Sequence, residues 1–118
     1  ALKDFFQFQF TPRSLKGFDK HPLHQNQACF GLDLRTEKEL PQGFSLKYLL
    51  QFYQLYQKQY PDAEKRFFSR SQWFDLLMGT SQVRKDILQG KTESEIRQAW
   101  EKDLQAYRSL REKYLLYE

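Results

Sequence analysis

His21 and His24, flanking Pro22-Leu23, are the first pair that a metal ion would use. Zinc needs three or four such ligands. Pro22 opposes a helical i, i+3 pairing and no third ligand stands nearby, so the two read as surface residues of a loop. Cys29 could act as a nucleophile only with a base beside it to form the thiolate. In the middle of a strand it reads instead as a small buried hydrophobe. Asp33, Glu37 and Glu39 offer the paired carboxylates of glycoside chemistry. All three fit a turn or a solvated face equally well. There is no glycine-rich phosphate loop and no nucleophile elbow. The residues alone do not assemble a complete active site, and they point to no metal or cofactor.

The elements that must position these residues follow from composition and spacing. The chain has 118 residues, enough for one domain, and its 40% apolar and 17% aromatic content can build a core. Nineteen Lys and Arg against fifteen Asp and Glu leave +4. The two signs interleave along the second half, which reads as a solvated helical surface. A nucleic-acid binder would concentrate its basic residues, so no nucleic-acid partner is expected. One cysteine cannot form an internal disulfide. No run reaches the ~20 apolar residues of a membrane span, and no signal peptide is present.

Residues 4–10 alternate with period two and predict a strand with Phe6, Phe8 and Phe10 on one face. Pro12 ends it. Residues 11–27 read as a loop, long enough to be functional or disordered. Residues 28–34 predict a second strand, in which Gly31 permits close approach of another group. Ser45 caps a helix running to about Tyr60, with two apolar rows that should contact more than one neighbour. Residues 65–69 suggest a short strand. The segment up to Gly79 suggests a helical turn, and Ser81–Gln89 a short helix capped by Gly90. Thr92-Glu93-Ser94-Glu95 is a capping box. It opens a last helix with Ile96, Trp100, Leu104, Tyr107, Leu110 and Tyr114 on one face. The order is that of an α+β fold, a small β-sheet covered by helices and ending in a long C-terminal helix.

The second half, "FDLLMGTSQVRKDILQGKTESEIRQAWEKDLQAYRSLREKYLLYE", resembles the C-terminal domain of the bacterial exo-β-N-acetylmuramidase family of the NamZ type. The shared pattern is Phe74-Asp75-Leu76-Leu77, Gly79-Thr80, Arg84 and Gly90, then Ile96, Trp100, Leu104, Tyr107 and Arg111, and a Tyr114-Leu115-Leu116-Tyr117 tail. Upstream, Phe10-Thr11-Pro12, the Cys29/Gly31 strand and a long helix ending in Tyr60-Pro61 fit the same family. The stretch 13–27 departs from the aromatic and small residues of many relatives.

The resemblance implies that residues 1–118 are a single auxiliary C-terminal domain of a larger two-domain enzyme. A Rossmann-like N-terminal domain carries the catalytic carboxylate and is absent from this chain. The enzyme would release N-acetylmuramic acid from the non-reducing end of peptidoglycan fragments, in the periplasm or outside the cell. The chain alone would be inactive, with no catalytic residue of its own. Its partners would be the catalytic domain and muramyl saccharides. The Phe6/Phe8/Phe10 row is expected to pack under the domain's own helices, and the loop to face the missing domain. The resemblance brings in the lactyl carboxylate of muramic acid, which Arg13, Lys16 and Lys20 could pair with. The alternatives are a stand-alone glycan- or protein-binding module and, behind it, a basic nucleic-acid-binding domain.

Overall fold

The computed structural model describes residues 2–38 and 41–115. Glu39 of the carboxylate set, and Leu116 and Tyr117 of the C-terminal motif, lie outside them. Among the described residues a two-stranded antiparallel sheet is joined to a helical body, which confirms the α+β class. The elements are α1 (Leu2–Phe5), β1 (Phe8–Phe10), β2 (Cys29–Gly31), α2 (Lys47–Gln59), α3 (Ala63–Phe67), α4 (Ser71–Met78), α5 (Gln82–Leu88) and α6 (Glu93–Glu112). A 3-10 turn over Leu34–Thr36 follows β2.

The helical body is built around aromatic edges. Tyr53 of α2 meets Phe67 and Phe68 at ring separations of 5.1 and 5.4 Å, and Phe68 meets Phe74 of α4 at 5.0 Å. Such edge-to-face pairs add to the gain from area burial alone. Leu46, Val83, Ile87 and Ile96 complete the buried cluster. The second apolar row of α2 has a separate neighbour, as its pattern predicted, for Phe52 takes the ring of Phe6 at 4.9 Å.

Polar pairs fasten the helices to one another. Arg84 of α5 donates two hydrogen bonds of 2.8 Å to the Asp75 carboxylate of α4. The Arg84 guanidinium holds the Asp75 carboxyl below its usual range. Asp86 is buried and accepts from Lys91 Nζ at 2.7 Å and Gln82 Nε2 at 2.8 Å. Gly79 and Gly90 end α4 and α5 with φ of 74° and 75°, a conformation that favours glycine.

The capping box at α6 is present as read: Thr92 Oγ1 accepts from Glu95 N–H, and Glu95 accepts from Thr92 N–H. Glu93, the first residue of α6, reaches across to α2. It accepts from Leu46 N–H at 2.9 Å, from the Ser45 hydroxyl at 3.2 Å and from Arg97 Nε at 3.3 Å. Burial raises its pKa, and these three donors outweigh burial and leave it lowered.

Several expectations change. The strand predicted over residues 4–10 is only Phe8–Phe10, because the chain before it coils into α1 and turns Phe6 toward α2. Phe6 alone of its row packs against the helices, whereas Phe8 and Phe10 are 41% and 43% exposed. The second strand is Cys29–Gly31, since Asp33 caps the 3-10 turn through Arg35 N–H. Residues 65–68 belong to α3 and its C-cap and Ser69 to the turn after it; Arg66 reaches back to Asp62 and both phenylalanines pack on Tyr53. Helix α2 starts at Lys47, with the Ser45 hydroxyl accepting from Lys47 N–H. The apolar face of α6 is buried only at its start.

Candidate binding face at the hairpin and its loop

The hairpin pairs Phe8 with Gly31, Gln9 with Phe30 and Phe10 with Cys29. Phe8 and Phe10 therefore share one face and stack nearly parallel, 6.3 Å apart and 20° from coplanar. Gly31 makes room for this arrangement. A Cβ at that position would stand 3.1 Å from Cε1 of Phe10, so the close approach expected at Gly31 is to a ring. Beside the pair, the Arg35 guanidinium lies over Phe8, 5.7 Å from its centroid. Asp33 aims it by accepting from Nε at 2.8 Å and Nη2 at 2.7 Å. The Arg35 partner in turn lowers the Asp33 pKa.

The connection between the strands is a closed loop, not a slack one. Asn26 N–H donates to the Pro12 carbonyl at 2.9 Å, which ties its two ends together. Inside, Phe18 N–H donates to Leu15 O, Leu15 N–H to Asp19 O, and His21 N–H to the Asp19 carboxylate. Gly17 has a φ of 87° at the tip of this turn. Such self-braced surface loops with neighbouring ends are often functional. Its side chains nonetheless point outward: Leu15 is 58% exposed, Phe18 88% and Leu23 85%.

Arg13, Lys16 and Lys20 are all exposed on this loop. None of the three forms an ion pair among the described residues. Lys16 sits in the Leu15–Phe18 turn, Arg13 follows Pro12, and Lys20 follows Asp19. The structure places them on one loop without joining them into a single cluster. His24 meets only Gln27, at 3.3 Å, and no three His, Cys, Asp or Glu side chains among the described residues gather to hold a metal. Cys29 is half-buried within β2.

Arg35 was missed at the level of sequence. Its partner lies two residues away, a spacing that no strand or helix pattern singles out, and it becomes a fork only because Asp33 caps a 3-10 turn. Between the segments that flank the hairpin and α2 lies a cavity of about 250 Å³ lined by Phe5, Phe6, Leu32, Leu34, Tyr48 and Phe52, among others. The Tyr48 hydroxyl is buried without a hydrogen-bond partner among the described residues.

This end of the molecule can do three things. Parallel ring faces accept a flat apolar face, such as the C–H face of a pyranose. Cations that form no ion pair among the described residues attract carboxylates, and the guanidinium that Asp33 holds keeps further N–H donors for one. No described helix is long and apolar enough to cross a membrane. Residues 3–117 match the family described as exo-beta-N-acetylmuramidase NamZ, C-terminal. No curated protein matches the chain, and neither does any solved structure.

Proposed function

Because the chain belongs to the NamZ C-terminal family of exo-beta-N-acetylmuramidases, we propose that it forms one wall of a muramyl-saccharide cleft whose other wall is the enzyme's catalytic domain. That domain precedes this one, has a Rossmann-like fold and supplies the catalytic carboxylate. The whole enzyme releases N-acetylmuramic acid from the non-reducing end of peptidoglycan fragments, outside the cytoplasm. The present domain positions substrate and does no bond-breaking of its own.

The observation that carries this reading is the company that the loop keeps. Three cations that form no ion pair among the described residues lie on the loop that leaves the strand carrying two exposed, near-parallel phenylalanine rings. N-acetylmuramic acid presents the matching pair of features, a pyranose ring and a lactyl carboxylate. Arg13, Lys16 and Lys20 draw in the carboxylate, and Phe8 and Phe10 support the ring. The cost of holding a cation unpaired is small at an exposed site and is recovered when a substrate anion arrives.

The direct test is release of N-acetylmuramic acid from a muramyl-glucosaminyl disaccharide by the full-length enzyme and by this domain alone. Release is expected from the first only. Cleavage by the isolated domain would overturn the reading, as would full-length enzyme that leaves the disaccharide intact.

A further inference from the structure

The chain exposes more surface than a self-contained fold of its mass. Its accessible area is 10308 Å², against about 6,800 Å² for a folded monomer of this size. Its radius of gyration is 18.2 Å, where a compact domain of this length has about 13–14 Å. The excess, roughly 3,500 Å² by that scaling, is several times the ~800 Å² that one partner contributes to a standard interface.

Helix α6 shows where cover is wanted. Its apolar stripe keeps helical spacing, while exposure rises from 1% at Ile96 through 39% at Leu104 to 62% at Tyr107 and 51% at Leu110, and Tyr114, just past the helix end, is 75% exposed. The opposite face is plainly the wet one. There Gln105 donates to Glu101 at 3.1 Å and Arg108 pairs with Glu101 at 3.6 Å. A helix surrounded by water on all sides has no reason to keep these faces distinct. Where the stripe leaves the core, Phe44, Trp100 and Leu104 line a groove of about 440 Å³, with Arg97 and Asp103 also lining it. Phe44 stands edge-on to Trp100 at 6.3 Å. An apolar groove edged by charge is the usual seat for a partner's anchoring side chain.

We infer that the outer half of α6 and the turn that follows it, from the Phe44–Trp100 groove to Tyr114, form the surface on which the catalytic domain of the same enzyme packs. The inference rests on the two-domain reading above and assigns it a face. The occupant follows from the size of the deficit: an uncovered area this large calls for a partner present in every copy of the protein at any concentration. A domain of the same polypeptide meets that condition, whereas a second copy meets it only when concentrated. Left open, such a face would also promote aggregation.

Hydroxyl-radical footprinting of the intact enzyme tests this. Tyr107, Leu110 and Tyr114 should be modified about fivefold or more slowly in the folded enzyme than in the urea-unfolded one, as residues within an interface core are. The protection should be the same across a range of protein concentrations. Modification at the unfolded rate would overturn the inference. Protection that appears only as the enzyme dimerises in sedimentation would overturn it too, and would assign the face to a second copy. The disaccharide assay on the same preparation separates the two ideas. Active enzyme with an unprotected α6 sinks this inference alone, and protected α6 in an enzyme inert toward muramyl saccharides sinks the functional reading alone.

Discussion

Tyr53 and Phe18 are both aromatic, yet Tyr53 is 3% exposed and Phe18 is 88% exposed. They stand for two regions built on different terms. At the centre of the helical body large side chains find partners within the domain: Tyr53 on Phe67 and Phe68, Ile87 and Ile96 in the buried cluster, Asp86 on Lys91 and Gln82. In the hairpin and its loop several backbone amides find partners within the loop, while the large apolar and basic side chains of the loop stay exposed. Asn26, Leu15 and Phe18 spend their amides on the loop's own carbonyls, which leaves Phe18, Leu23, Arg13, Lys16 and Lys20 facing out. The first region is closed on itself and the second is open to solvent.

The contrast can be broken most forcefully in the body. Ile87→Ala should cost about 2–5 kcal/mol, the usual penalty for an aliphatic side chain lost from a close-packed core. Urea denaturation of the intact enzyme measures it. Asp86→Ala should cost less, about 1–3 kcal/mol, because it takes the buried acceptor from the Gln82 amide and ends the ion pair with Lys91, whose ammonium stays open to water. The same melts should show it, and a cost near zero would mean that the buried carboxylate contributes nothing.

Acid should act on the body too. Asp86 and Glu93 both have lowered carboxyl pKa values in the folded chain, from ordinary values of 3.8 and 4.5. Each therefore contributes stability that is fully present above its ordinary value and disappears as pH falls through the lower folded one. Melting temperature should hold steady from pH 7 to about 5 and drop below about 4. An Asp86→Asn variant should show a shallower drop, recorded by scanning calorimetry.

In the second region the effects should be on substrate and not on stability. Arg13→Ala in the intact enzyme should raise KM for the muramyl disaccharide by about tenfold, equivalent to about 1.4 kcal/mol, with the melting temperature unchanged. Unchanged kinetics would remove Arg13 from the binding face. Phe18→Ser should be the mildest for folding, within about 0.5 kcal/mol, as for an exposed position with no packing to lose. A larger loss in the intact enzyme would show that Phe18 is covered there.

Signals written within a few residues were the ones legible in advance. The capping box at Thr92 and Glu95 and the left-handed glycines at 79 and 90 depend on local geometry, and each stands where the sequence put it. The strands are read too long because period-two alternation over Phe6, Phe8 and Phe10 cannot reveal that Phe6 packs on Phe52 of α2. The segment "KRFFS" was read as a strand because five residues do not distinguish two periods. The packing of Phe67 and Phe68 on Tyr53 decides it. At the binding face the loop and its three cations were visible from Pro12 onward. The stacked rings and the Asp33–Arg35 fork were not, since both depend on strand register and on a 3-10 turn.

The Glu93 clamp has one more effect. It roots α6 to the start of α2, while the far end of the same helix projects about 30 Å along its axis. The helix is thus a cantilever. A tilt of about 5° at the clamp swings its tip by roughly 2–3 Å, enough to slip an apolar side chain out of its seat. Two hydrogen bonds, from Leu46 and Ser45 to one carboxylate, thereby set the aim of a lever many times their own length.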